Sequence, residues 1–260
     1  MNVEITDFAK CEQFSNMFQH IKLFTDYINI IFSKEKMYLQ TMDTSRVSIS
    51  EIILPNIWFD TYEINVESDI TIGVHSDLLF KVLHARDKTQ SVLFQFKEDN
   101  SDKLEIHFMN DNKNSFDKHF ELPLIDIETD MMSIPEYDTN VDMTLLSQNF
   151  ASVITHLQLF GDTITFKCNE DKIELLSVSA DSGKMTADVN IDDLTSYSIT
   201  ENESFSNSFS LGKLHNICLY NKMSQELEIS ITNNFPMRIT YNLGIENAKM
   251  LFYLAPKIDE

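Results

Sequence analysis

The chain has 260 residues, 43% of them hydrophobic and 23% charged, with only five Gly and five Pro. That is enough apolar material for a core in one or two domains, and it excludes disordered or collagen-like sequence and glycine-rich phosphate loops. A formal net charge of −21 excludes holding nucleic acid by bulk attraction, so any such contact requires the few basic side chains to gather on one surface.

The start, MNVEITDFAKCEQF, lacks the basic end and apolar stretch of a signal peptide, and no apolar run reaches the length of a membrane span. Cys11, Cys168 and Cys218 are odd in number and far apart, which fits reduced intracellular thiols and not a disulfide framework or a zinc site.

In chain order, the spacing of Cys11, Phe14, Phe18 and Ile21 predicts a helix over Lys10–Lys22, with Glu12, Ser15, Asn16, Gln19 and Lys22 off the apolar face. Alternation and β-branched or aromatic content predict strands at Tyr27–Phe32, Met37–Met42, Val47–Leu54 and Phe59–Val66. A second helix is expected over Ser76–Ala85 with Leu79, Val82 and Leu83 inward, then strands at Val92–Lys97, Lys103–Met109 and Ser115–Leu122. Leu122–Asp138 has prolines near both ends, acidic residues and no period, and reads as a surface connector.

The pattern then restarts. A helix is expected near Leu146–Phe160, with strands at Thr163–Cys168, Lys172–Val178, Lys184–Ile191, Ser196–Thr200 and Phe205–Leu211. A helix near Gly212–Tyr220 and three closing strands complete the chain.

This restart is a duplication. FSNMFQHIKLFTDYINIIFSKEKMYL from Phe14 aligns without a gap on FASVITHLQLFGDTITFKCNEDKIEL from Phe150, matching His20 to His156, Phe24 to Phe160, Asp26 to Asp162 and Leu39 to Leu175. A shared period this long means a doubled domain, not a solenoid. The expected fold is α+β: domains at 1–121 and 139–260, each an antiparallel sheet with two helices on one face, joined by a connector at 122–138. Two edge strands are candidates for pairing between copies. One is Ser115–Glu121, carrying Phe116, Lys118 and Phe120; the other is Ser179–Val189, carrying Met185 and Ala187. Taken alone, both also read as ordinary charged edges.

LQTMDTSRVSISEIIL from Leu39, FDTY from Phe59, IGV from Ile72 and YLAPKIDE from Tyr253 resemble, in order and spacing over nearly the whole chain, proliferating cell nuclear antigen, the eukaryotic and archaeal sliding clamp. The abundance of Asn, Ile, Phe and Met looks more like a viral or protist relative than an animal one. The resemblance implies a homotrimeric ring of six similar domains around double-stranded DNA, without sequence specificity. A clamp loader would open it, and it would tether a DNA polymerase and other replication and repair proteins. The implied location is the nucleus, or a cytoplasmic replication site for a viral member.

It further implies a hydrophobic depression that receives peptides of the PIP-box type, which carry an aliphatic and two aromatic side chains. By matched position its walls are Met42, Arg46, Val47, Ile134, Pro236, Tyr253, Leu254, Ala255 and Pro256, with Met131 or Met132 in place of a connector leucine. Without the resemblance, the methionines read equally as connector packing and Pro256 as a chain terminator.

The helix faces turned to DNA would carry Lys10, Lys22, Lys81, His84, Arg86, Lys213 and Lys222. One such lysine alone reads as a solvated charge; their shared face favours phosphate contact. Relatives are more basic there: this chain has Ser15, Asn16, Ser152, Thr155, Leu159 and Gly212 at positions where they carry cations. Glu170 stands where relatives often have a modifiable lysine, although Lys167 and Lys172 are close.

No nucleophile elbow, phosphate loop, HExxH or CxxC occurs, the histidines show no ligand spacing, and no cofactor or enzymatic activity is expected. The competing reading from another class is a metal-dependent nuclease using Asp126, Glu128 and Asp130. Within the binding class, a checkpoint-clamp subunit and a monomeric viral processivity factor stand as alternatives.

Overall fold

The computed structural model describes residues 1–97, 102–110, 116–128, 131–135 and 137–257. The chain forms two compact units: Met1–Thr44, Glu51–Met132 and Ile245–Lys249 make the first, and Ser45–Ser50, Ser133–Gly244 and the stretch from Met250 onward make the second.

The first unit contains β1 (Asn2–Ile5), α1 (Phe8–Phe18), β2 (Tyr27–Phe32), β3 (Lys36–Met42), β4 (Ser48–Pro55, its first residues in the second unit), β5 (Thr61–Glu63), β6 (Ile70–His75), α2 (Ser76–His84), β7 (Ser91–Gln95), β8 (Lys103–Met109) and β9 (Lys118–Pro123). Its strands form two sets, β5-β1-β7-β8-β9 and β4-β3-β2-β6.

The second unit contains β10 (Val141–Leu146), α3 (Ser147–Leu157), β11 (Thr163–Cys168), β12 (Ile173–Ser179), β13 (Gly183–Val189), β14 (Ser196–Ile199), β15 (Phe205–Ser210), α4 (Leu211–Cys218), β16 (Glu226–Ile231), β17 (Met237–Asn242) and β18 (Lys249–Leu254, all but its first residue in this unit). Its sets are β14-β10-β16-β17-β18 and β13-β12-β11-β15. The same neighbour order thus occurs in both units, element for element.

The repeat extends to single hydrogen bonds. The amide of Ser33 donates to Lys36 O at 3.0 Å, and that of Asn169 to Lys172 O at 3.0 Å, closing equivalent turns. The first residue of α2, Ser76, donates its amide to Asp26 O at 2.9 Å; the first residue of α4, Leu211, donates to Asp162 O at 3.0 Å.

Each unit has its own core. In the first, the Phe14 ring meets Phe18, Phe94 and Trp58 at 5.2, 5.3 and 6.1 Å between centroids. In the second, Phe166 meets Phe150 at 6.4 Å and Phe209 at 5.9 Å. Burying each such ring stabilises the fold by roughly 1.5–3 kcal/mol, and α1 packs on α2 and α3 on α4.

The elements differ from the expectation in several places. The first helix starts at Phe8, because Asp7 Oδ1 accepts from the Lys10 amide at 2.9 Å and caps it. Ser15, read as lying on the polar face, is buried. The strand expected over Phe59–Val66 shrinks to Thr61–Glu63, since Asn56–Trp58 is a 3₁₀ turn that drops Trp58 and Phe59 into the core. The periodicity also misses β1, β6 and β10. Among the described residues no helix is long and apolar enough to cross a membrane.

Candidate docking and nucleic-acid surfaces

In the second unit the segment after β18 is strapped down. After β18 the Ala255 amide donates to Val47 O at 2.8 Å, Pro256 forms a β-bridge with Phe209, and the Lys257 amide donates to Ser208 O at 2.7 Å. Lys257 Nζ reaches Thr163 Oγ1 at 2.5 Å and Asp162 O at 3.4 Å. Pro256 is therefore part of a bridged segment and not merely a terminator. Arg46, exposed, turns the chain just before Val47 with a left-handed φ of 58°.

Val47, Ile134, Pro236, Tyr253, Ala255 and Pro256 are all half-buried in this unit. Leu254, read as a wall, is fully buried: its side chain fills the core and is not presented to a partner. Tyr137 and Phe235, which no sequence pattern marks, stack their rings at 4.8 Å and 26°. The Tyr137 hydroxyl donates to Pro236 O at 2.8 Å, and burial raises its pKa. Phe235 remains 41% exposed.

In the first unit Met42 is half-buried, while Met131 and Met132 are 53% and 46% exposed. The segment leading to them lies against three neighbouring strands. The Ile125 amide donates to Gly73 O at 2.8 Å, Asn29 Nδ2 donates to Ile127 O at 2.9 Å, and Gln40 makes a two-point contact with Met132. Gly73 is required by this approach: a Cβ there would stand 2.0 Å from Ile125 O. None of these three anchors is visible as a periodic signal.

The expected basic face is only partly free. Lys22 and Lys81 both pair with Asp77, at 3.1 and 2.5 Å. The two ammonium groups, Lys81 first, lower its pKa. The spacing of Asp77 and Lys81, one helical turn apart, carried that signal.

Lys10 and Arg86 are engaged within the first unit. Lys10 donates to Trp58 O at 2.9 Å and lies 5.6 Å over the Trp58 ring. Arg86 Nη1 donates to the carbonyls of Asp87, Lys88 and Gln90 at 3.0, 3.3 and 2.8 Å, clamping its own loop. His84 is exposed beside Phe80, Lys213 is half-buried on α4, and Lys222 is exposed beyond it. Leu159, where relatives are basic, is 69% exposed.

Both candidate edge strands lie at the ends of their sets, β9 in one and β13 in the other. Phe116, just before β9, is 90% exposed; Ser115 lies outside the described residues. Phe120 packs on Phe108 at 5.4 Å, and Met185 and Ala187 share a half-buried face of β13. Lys118 is tied to its own unit through Ala85 O at 2.7 Å and Asp87 at 3.1 Å.

Of the acidic trio, Asp126 and Glu128 are exposed and Asp130 lies outside the described residues, as do Ile258–Glu260 of the terminal motif. Among the described residues no three His, Cys, Asp or Glu side chains are grouped to hold a metal ion.

Residues 5–132 match the profile of the proliferating cell nuclear antigen N-terminal domain, and residues 133–258 that of its C-terminal domain. The chain is similar to the proliferating cell nuclear antigen of Chaetomium thermophilum, with 28% identity over 260 residues covering 97% of this chain and 98% of that protein. It is also similar to proliferating cell nuclear antigen 2 of Plasmodium falciparum, with 25% identity over 258 residues covering 95% and 96%. A doubled α+β unit, matched domain by domain along almost its whole length, makes this chain a member of the proliferating cell nuclear antigen family, the sliding clamps that confer processivity in DNA replication and repair.

Proposed function

We propose that the chain works as a homotrimeric ring around duplex DNA, opened by a clamp loader, with no catalysis of its own. The observation that carries this reading is the duplication: two units with one element order, each matched by a clamp domain. Head-to-tail contacts between copies close into a ring when the rotation allows it, and the edges β9 and β13 are the strands we assign to that contact. Leu122–Asp138 serves as the connector between domains spanning 1–121 and 139–260.

Polymerase and repair proteins dock through PIP-box-type peptides. The receiving side chains include the exposed Met131 and Met132, and, in the second unit, the half-buried Val47, Ile134, Pro236, Tyr253, Ala255 and Pro256. Burying three partner side chains contributes about 1.5–3 kcal/mol each. Ordering the peptide offsets much of this and leaves roughly micromolar binding, weak enough for partners to exchange. DNA is met by phosphate contacts alone, through Lys22, Lys81, Lys213 and Lys222, because base readout would stop sliding. The site of action is the nucleus, or a cytoplasmic replication site in a viral setting.

Light scattering with a polymerase assay on primed circular DNA tests this. A mass of three chains and longer products in the presence of loader are expected. A single-chain mass, or magnesium-dependent nuclease activity of the protein alone that Asp126→Ala abolishes, overturns it.

A further inference from the structure

Among the described residues, the segment leading to Met131–Met132 is held by one residue from each of three adjacent strands, β6, β2 and β3, after the Leu124 amide has donated to Asp102 O at 2.8 Å. Two of the holds include a hydrogen bond from the Ile125 amide to Gly73 O and one from Asn29 Nδ2 to Ile127 O. The third differs in kind. Gln40 Nε2 donates to Met132 O at 2.9 Å, and the Met132 amide donates to Gln40 Oε1 at 2.8 Å. A side-chain amide here imitates a strand neighbour and satisfies both backbone groups of one residue.

The orientation of that amide is not free. Gln40 Nε2 also lies 3.1 Å from Glu51 Oε1 and 3.2 Å from the Tyr38 hydroxyl, and that hydroxyl donates to the same Glu51 oxygen. Glu51 is buried, 8% exposed, and its Oε1 is the acceptor here, taking hydrogen bonds from the Tyr38 hydroxyl and from Gln40 Nε2. It therefore requires the NH₂ end of Gln40 to face it, which leaves Oε1 for the Met132 amide.

We infer that Gln40, oriented by Glu51 and Tyr38, is a positioning residue for partner docking: it fixes Met131–Met132 in place before a peptide arrives. The inference rests on the docking reading above. Its physical content is pre-organisation, since a segment already ordered loses less conformational freedom when a partner binds. Gln40 need not touch the partner for this effect.

The probe is a fluorescent PIP-box-type peptide, with amide hydrogen exchange followed by NMR on the full chain. Gln40→Ala and the near-isosteric Gln40→Glu, which lacks the donor, are compared with the parent chain. In both, the Met132 amide is expected to exchange at least about tenfold faster, because its acceptor is lost or repelled from Glu51. The Ile125 amide, held by Gly73 O, keeps its rate and reports that the sheet is intact. Peptide affinity is expected to fall roughly three- to tenfold.

Unchanged Met132 exchange, or accelerated exchange with unchanged affinity, overturns the inference while leaving docking itself intact. A parent chain that binds no such peptide sinks the docking reading, and this inference falls with it. Acceleration at Ile125 as well as Met132 marks general loosening of the sheet and overturns a positioning role.

Discussion

A Cβ on Gly73 would stand 2.0 Å from Ile125 O and 3.2 Å from Ile125 C, both backbone atoms. The Asn29 side chain, at 3.0 Å, can give way, but the Ile125 backbone cannot, so Gly73→Ala must push the connector off β6 or distort the strand. The expected cost is about 1–3 kcal/mol, as for overpacking elsewhere. Gly212, in α4, has nothing within 4 Å of its ideal Cβ, and alanine there removes the backbone-entropy cost of glycine in a helix, about 0.5–1 kcal/mol. Denaturant unfolding of the two variants is expected to show opposite signs.

The thiols give a second prediction at this scale. Cys11, Cys168 and Cys218 are 1, 2 and 2% exposed. Burial pushes Cys11 up to about 11, against a smaller opposing pull from Arg86, and Cys168 up to about 12; it raises Cys218 as well. In the unfolded chain these thiols ionise near 9. Folding therefore favours the protonated form, and its contribution is complete below pH 9 and is lost as pH rises through 11 and 12. Stability measured against pH is expected to decline from about pH 9. Ellman titration at pH 8 is expected to find no fast thiol in the native chain and all three after unfolding.

Among elements, the face shared by the end of the first helical segment and α2 shows how local pairing weakens a charged surface. Lys22 and Lys81 both lean on Asp77, so three charged side chains present a net of one cation. Asp77→Asn releases both lysines. Each additional phosphate contact steepens the dependence of log affinity on log salt by about 0.9, so the variant is expected to bind short duplex DNA more tightly at low salt and with a steeper slope. Lys81→Ala is expected to flatten it. Equal slopes in all three chains would remove this face from DNA contact.

Elements are also the scale at which the sequence is most legible. β2 and β11 are read to the residue because each alternates over six positions. α1 is read from Cys11, Phe14 and Phe18, with its start misplaced because the cap at Asp7 was passed over. β1 is four residues long, half of them Asn2 and Glu4; such a segment carries no usable period and becomes a strand only because β5 and β7 flank it. The candidate docking residues came from resemblance, not from period. What stayed hidden are contacts between residues distant in sequence: Gln40 with Met132, Gly73 with Ile125, Lys10 with Trp58. No local pattern encodes them, since each joins residues far apart in the chain that only the tertiary fold brings together.

For the whole molecule, the net charge of −21 sets how it can stay on DNA. A chain this acidic is repelled by duplex at long range, and four of the candidate cations offset that only weakly: Lys10 and Arg86 bind carbonyls of their own unit, and Lys22 and Lys81 share Asp77. Affinity alone cannot hold it, whereas a closed ring on a circular duplex needs no affinity. Two retention experiments separate these cases. Loaded onto nicked circular DNA, the protein is expected to co-elute with the plasmid in gel filtration even at salt high enough to screen lysine–phosphate contacts, where the Debye length falls to about 3 Å at 1 M. Cutting the same plasmid once is expected to release the protein with no change in salt, because only the topology has changed. Salt-dependent loss from the intact circle, or persistence on the cut one, would mean that direct phosphate contact holds the chain, and the ring would then be the wrong account of its grip.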